Sequence, residues 1–154
     1  KKEPVATLEQ ERMFSLLEKP RYLAGSALLA SHDGRLDAAL RLAEEACAYA
    51  EERRMRHLYP LVRLVSGHVQ AACGAHEAAV SQYQRSAKLA AAMNMRPVLW
   101  QADVAAARSL EALGSHAAAA EKRQAARTVI EESAAAFADE ALRTAFRVNA
   151  LAKV

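Results

Sequence analysis

Histidines, cysteines and paired carboxylates are the side chains of this sequence that could do chemistry, and their spacing argues against most of it. His32, His76 and His116 sit in or beside glycine turns, where exposed polar residues are ordinary, and His57 lies in a junction between helical segments. There is no His-x-x-x-His and no Cys-x-x-Cys, so the ligand spacing of a zinc site is missing. Glu44-Glu45, Glu51-Glu52 and Glu131-Glu132 are neighbours in sequence, and on a helix neighbouring side chains diverge by about 100°. The members of a pair cannot share a substrate proton, and the pairs read as solvated faces. No serine lies in an elbow motif or at a useful distance from a lysine, and no glycine-rich phosphate loop occurs. With no assembled constellation, the chain is expected to be no enzyme, with no catalytic residues, no bound metal and no cofactor.

The elements that would have to position such groups are helices. The chain has 154 residues, 53% hydrophobic and only 5% aromatic, with alanine supplying much of the apolar content, a composition that favours close-packed helices over a sheet. Cys47 and Cys73 are isolated within expected helices and read as small core fillers of a reduced protein rather than a disulfide framework. No run of 18 apolar residues and no signal peptide is present, so a cytoplasmic protein with no membrane association is expected. The sequence begins at Lys1 rather than Met, and a fragment of a longer chain is expected.

The net charge is only +3, with a local surplus of basic residues between 51 and 100. The run Arg53-Arg54-Met55-Arg56-His57, with Arg63, reads either as a docking patch for an anion or, as is commoner, as arginines set against the negative end of a helix. Nucleic acid is not the expected partner, since that would call for a more basic face with interleaved aromatics.

Gly34, Gly74 and Gly114 fall 40 residues apart and carry a register with them. Five residues after each is an alanine (Ala39, Ala79, Ala119), and seven before each is a very small residue (Ala27, Gly67, Ala107). Met55-Arg56 recurs as Met95-Arg96, Ala50 as Ala90, and Ala38-Ala39 as Ala78-Ala79 and Ala118-Ala119. Cut at this period, the chain yields repeats 21–60, 61–100 and 101–140, each with a first helix of about a dozen residues, a glycine turn and a longer second helix. Each glycine closes an apolar helix, where a left-handed cap needs a residue without a side chain. Asp37 and Glu77 then fall in the first turn of the next helix and Ser115 at its N-cap, while Pro60 and Pro97 mark starts of first helices. Residues 8–20 read as a helix ending at Pro20, the remnant of an earlier repeat whose Leu8, Met13, Phe14 and Leu17 lie on the next unit. Residues 141–154 read as a capping helix in which Leu142, Phe146 and a turn at 149–151 cover the last pair.

This pattern resembles the tetratricopeptide repeat, with its small residue, turn glycine and alanine at these intervals. The remainder of that motif is matched by Ala43 and Ala46, then Tyr83 and Ser86, then Arg123 and Ala126, with Arg123 a departure from the usual aromatic. The resemblance covers about residues 21–135. HEAT and armadillo repeats have comparable periods but lack the signature. Against the usual period of about 34 residues, the surplus must lengthen the helices or the junction. The ending Phe137-Ala-Asp-Glu-Ala-Leu-Arg-Thr-Ala-Phe146 is similar to the ends of helical-repeat domains attached to bacterial signalling ATPases, nucleotide cyclases and transcriptional activators.

The resemblance implies an all-α fold, a right-handed superhelix (α-solenoid) of antiparallel helix pairs, occupying residues 1–154 as a single domain. It implies a non-enzymatic protein–protein interaction module of a larger intracellular bacterial regulator; the alternatives are a small-molecule sensor domain of a signalling protein or a basic repeat contacting nucleic acid. A protein or peptide partner is expected in the concave groove. On the first helix of the second repeat, Leu61, Leu64, His68 and Ala71 form one stripe. The equivalent stripes are Arg21, Ala24, Leu28 and His32 in the first repeat and Gln101, Val104, Arg108 and Glu111 in the third. Families that clamp a C-terminal carboxylate carry lysine and asparagine where this chain has Ala24 and Leu28, so the groove suits an amphipathic helix or extended peptide instead. Incomplete terminal repeats leave an apolar end face on which two copies could pair as a homodimer.

Overall fold

The structure, a computed structural model, describes residues 5–154, with side chains from Glu18 onward. Among the described residues seven α-helices follow one another: α1 Val5–His32, α2 Leu36–Glu52, α3 Tyr59–Ala72, α4 His76–Ala92, α5 Arg96–Ala112, α6 His116–Ala135 and α7 Glu140–Leu151, with a 3₁₀ turn at Arg56–Leu58 before α3. No strand occurs among the described residues, as an alanine-rich chain of helical period requires.

Five left-handed residues set the frame. Gly34, Arg54, Gly74, Asn94 and Gly114 have φ of 75°, 53°, 76°, 54° and 75°, each 20 residues beyond the last. The same two bonds close the helix before each of them. At Gly74 the left-handed residue donates to the Ala71 carbonyl at 3.0 Å and Ala75 donates to Gln70 at 2.9 Å; at Asn94 the pair is Ala91 at 3.2 Å and, from Met95, Ala90 at 2.8 Å. This is the Schellman cap, which satisfies carbonyls that the helix end leaves free. The glycine turns match expectation. The turns at Arg54 and Asn94 carry side chains into the same conformation and were not foreseen.

Equal spacing of turns makes equal helices. α2, α4 and α5 have 17 residues each, and the 3-residue 3₁₀ turn with the 14-residue α3 fills the same interval. The first helices α3 and α5, at 14 and 17 residues, exceed the dozen expected, while the second helices α4 and α6, at 17 and 20, are longer than them as expected. The residues surplus to a 34-residue period lie in the helices, since both junctions are minimal. The frame 21–60, 61–100 and 101–140 has the right period but cuts α3 and α5 internally; the turns move the boundaries to 55 and 95.

The helix expected to end at Pro20 does not end there. α1 runs through it to His32, with Pro20 inside the helix and buried. A proline removes one backbone bond, but reversing this chain takes a left-handed residue, and Phe14, in register with Arg54 and Asn94, stays helical. The contacts expected of Leu8, Met13, Phe14 and Leu17 lie outside the described side chains.

Helix starts are governed by the turns as well. Arg35, Met55, Ala75, Met95 and Ser115 hold N-cap positions with φ between −78° and −87° and ψ between 61° and 65°, and none makes a side-chain cap. Ser115 is thus in the expected place without the expected bond. Asp37 and Glu77 stand in first turns, and Pro60 and Pro97 open α3 and α5 where a missing amide costs nothing. Among the described residues only Asp139 caps through its side chain, accepting from the Leu142 amide at 2.9 Å to start α7. Residues 149–151, expected as a turn, belong to α7, and Leu142, expected to cover the last pair, is exposed. Phe146, Ala150, Leu151 and Val154 do the covering, against Trp100, Val104, Ala126 and Ile130.

Each helix packs on its neighbours in chain order, and α3 also touches α1 and α5. The interfaces are built from small residues in register: Ala27, Ala39, Ala43, Ala46 and Ala50 are buried in the first repeat, Gly67, Ala79, Ala87 and Ala90 in the second. Cys47 is buried there and Cys73 sits half-buried one residue past α3; both are free. Burial pushes the Cys47 thiol up, which keeps it protonated and inert. The second repeat trades volume across one contact. Tyr83 is buried where the first repeat has Ala43, and a Cβ on Gly67 would stand 2.5 Å from its Cε1, so the glycine makes room for the ring. Another cross-helix position changes chemistry along the array: half-buried Leu42 and buried Leu23 in the first repeat, Arg63 to Gln82 at 3.1 Å in the second, Lys122 to buried Asp103 at 2.8 Å in the third.

The turn conformations generate a paired prediction. Gly74→Val should cost about 1 kcal/mol or more, because a β-branched residue is strained in the left-handed region, whereas Arg54→Gly should gain up to about 1 kcal/mol by relieving that strain. Urea unfolding of both variants measures this; a neutral Gly74→Val or a destabilised Arg54→Gly would contradict the turn assignment.

Candidate functional site: a polar pocket between α3, α5 and the C-terminal segment

Four of the expected groove residues meet in one place. His68 from α3 and Gln101, Val104 and Arg108 from α5 line a pocket of about 200 Å³, together with Trp100, Ala105 and Lys153. Two turns of α5 supply Gln101, Val104, Ala105 and Arg108 because positions three, four and seven apart share a helix face. His68 comes from the neighbouring α3, and Lys153 arrives from the segment after α7.

The other expected residues lie elsewhere or serve packing. Leu64 is buried within the cluster of Tyr83, Ala102 and Ala106, Val104 is only 5% exposed, and Leu61 is half-buried. Ala24 is in the core and Ala71 is half-buried. Arg21, Leu28 and His32 are exposed on α1, with Arg21 paired to Glu18 at 3.4 Å and His32 3.9 Å from Asp33. Glu111 is ion-paired with Arg123. The stripe on α1 is thus solvent-facing at its polar positions, while those on α3 and α5 alternate between packing and pocket.

His68, in the pocket wall, is held by a buried partner that does not itself line the pocket. Tyr83 Oη and His68 Nδ1 are 3.1 Å apart, and the rings meet edge to face at 5.3 Å between centroids. Burial raises the Tyr83 phenol, so it keeps its proton and donates. Burial first, and the charge of Arg108 second, lower the His68 imidazole, so Nδ1 keeps its lone pair and accepts. The bond assigns the proton to Nε2, which leaves His68 with one donor beyond the Tyr83 contact.

The arginines are committed to the chain's own end. Arg108 donates to the Lys153 carbonyl at 2.8 Å and Arg123 to the Val154 carbonyl at 3.0 Å, while Arg123 also bonds Glu111. That hydrogen bond holds the Glu111 carboxyl below the usual range. Arg123, the departure from the repeat's aromatic position, therefore does a different job from Tyr83: it pins the segment after α7 over α5 and α6. Sequence spacing could not reveal Trp100 or Lys153 as part of this site, since Lys153 is far along the chain and Trp100 falls outside the stripe of Gln101, Val104, Arg108 and Glu111.

A second cleft of about 450 Å³ lies behind Trp100, lined by Asn94, Arg96, Pro97, Ser133, Ala136, Phe137 and Phe146. Its origin is local. In register with Arg54 and Asn94 stands Ala134, which stays helical, so α6 overruns and α7 begins at Glu140, four residues late for the 20-residue frame. Phe137 and Phe146 meet across the opening at 5.3 Å, and the buried Trp100 Nε1 has no hydrogen-bond partner.

Among the described residues no three metal-ligating side chains come together, and no helix is long and apolar enough to cross a membrane. No family model, no curated protein and no solved structure matches the chain at a significant level.

The His68 environment fixes a pH dependence. Above about pH 6.5 the imidazole is neutral folded and unfolded. As pH falls below that value the unfolded chain takes up the proton first, so stability declines until the lowered folded value is passed. Urea midpoints between pH 7.5 and 5 should therefore fall more steeply for the wild type than for His68→Gln, which keeps an acceptor for Tyr83; identical slopes would contradict the environment described.

Proposed function

We propose that the chain is a tetratricopeptide-like α-solenoid, a right-handed superhelix of helix pairs, that serves as a non-enzymatic protein-binding module of a larger intracellular bacterial regulator. The observation that carries this reading is the polar pocket on α3 and α5. At about 200 Å³ it is smaller than the roughly 300–1,000 Å³ of ordinary small-molecule sites, and it is the size of one inserted side chain. His68 and Gln101 supply adaptable hydrogen bonds at its walls, and the repeated first helices that touch one another through α3 provide the extended surface on which a peptide's other side chains would lie. The repeat register from Gly34 to Gly114 supports the family assignment.

A second reading, a small-molecule sensor, is favoured by one observation: the cleft beside Trp100 has a volume of about 450 Å³ and aromatic walls.

One experiment separates the two. Peptides selected from a random display library are added to ¹⁵N-labelled protein, and a metabolite library is screened in parallel by thermal shift. The module reading expects selected peptides that move the amides of His68 and Gln101 and lose tenfold or more in affinity, about 1.4 kcal/mol, on Gln101→Ala. Metabolites that raise the melting temperature and change Trp100 fluorescence, with no peptide acting at His68, would replace it with the sensor reading.

A further inference from the structure

The cleft beside Trp100 combines aromatic walls with one unpaired cation. The walls are buried Trp100 from α5, half-buried Phe146 from α7, and Phe137, 37% exposed in the link between α6 and α7. Among the described residues that line the cleft, Arg96 alone is charged. It opens α5, at the helix end whose partial charge is already positive, so helix electrostatics does not call for a cation there. Its Nε donates to Asn94 Oδ1 at 3.3 Å; among the described residues its two terminal nitrogens have no partner, and no carboxylate pairs with it.

Two further features narrow the occupant. A volume of about 450 Å³ is within the roughly 300–1,000 Å³ of small-molecule sites, and walls of tryptophan and phenylalanine receive a flat ring best, stacked or edge to face. The anionic end of the occupant has one partner. Pro97 has no amide, and the amides of Val98 and Leu99 both go to the Met95 carbonyl at 3.0 Å, so these three residues add no backbone donor for the oxygens of a phosphate. A single guanidinium matches the two oxygens of a carboxylate as a fork. The Trp100 wall is held by packing, since its Nε1 is buried without a hydrogen-bond partner.

We propose that the cleft beside Trp100 binds a small aromatic carboxylate, with its ring system among Trp100, Phe137 and Phe146 and its acid group on Arg96. The proposal rests on the small-molecule reading of that cleft, names the ligand class, and is independent of a peptide at His68. Trp100 lines the His68 pocket too, so the ligand site adjoins the peptide site rather than replacing it.

The test titrates benzoate, cinnamate and 2-naphthoate, each beside its neutral carboxamide, into ¹⁵N-labelled protein and follows the indole Nε1–H resonance of Trp100, the chain's single tryptophan. At least one acid should shift it saturably and bind about tenfold or more tighter than its carboxamide. Arg96→Gln should erase that preference and leave the carboxamide affinity unchanged. Ala136→Phe, which narrows the cleft from an exposed position, should abolish binding of both, and Arg56→Gln, the equivalent charge one period earlier, should bind as the wild type does. Circular dichroism melts verify that the variants are folded. No saturable shift with any of the acids, equal affinity for acid and carboxamide, or a preference that survives Arg96→Gln would overturn the proposal. A peptide ending in phenylalanine that binds there more tightly than every free acid would assign the cleft to a chain end and overturn the free ligand. If a neutral metabolite shifts the indole while no aromatic acid does, the ligand class falls and the sensor reading stands; an indole silent to the acids and to the metabolite library would end both.

Discussion

The architecture depends on one backbone constraint, a left-handed residue every 20 positions. Each such residue turns the chain through a Schellman cap and fixes the phase at which the next helix starts, so the helices between turns have one length and the small residues on their faces stay in register. Packing then follows from phase. Ala39, Ala79 and Ala119 are all fully buried because each sits five residues past its turn, on the face that the preceding helix covers. Alanine and glycine at these places let neighbouring helices approach closely, and the larger side chains fill what room remains, as Tyr83 does over Gly67.

Where the constraint lapses, the chain departs from the array and its unusual features appear. Ala134 continues α6, α7 starts late, and the cleft beside Trp100 opens. The segment after α7 is then held by Arg108 and Arg123 through the carbonyls of Lys153 and Val154, which brings Lys153 to the wall of the polar pocket. The pocket thus joins two kinds of element: helices placed by the repeat, which supply His68, Gln101 and Arg108, and an end segment placed by side chains that the repeat pattern does not require. At the other end, α1 continues through Pro20 because no residue there takes the left-handed conformation.

Much of this was legible in the sequence, and the exceptions share a cause. The glycines at 34, 74 and 114 announce left-handed turns because glycine adopts that conformation freely, but Arg54 and Asn94 adopt it without advertising it, so the second turn of each repeat and the equal helix lengths were missed. Pro20 was read as a stop because proline opens helices at 60 and 97; at 20 the chain ahead of it is helical as well. Half of the site was readable as a stripe at helical spacing, which is how His68, Gln101, Val104 and Arg108 were found. Helical spacing cannot tell a groove residue from a packing residue, however, and Leu64 proved to be the latter. Lys153 reaches the site, and Tyr83 reaches His68 behind it, through tertiary packing, about which a one-dimensional period says nothing.

The most direct measurement of this account is the intraresidue amide-to-Hα distance by nuclear Overhauser spectroscopy, since a positive φ brings these two protons close. Strong intraresidue cross-peaks are expected at Arg54 and Asn94 as well as at Gly34, Gly74 and Gly114, with weak ones of helical character at Ala134. A helical pattern at Arg54 or Asn94, or a left-handed one at Ala134, would contradict the 20-residue constraint on which the rest of the structure stands.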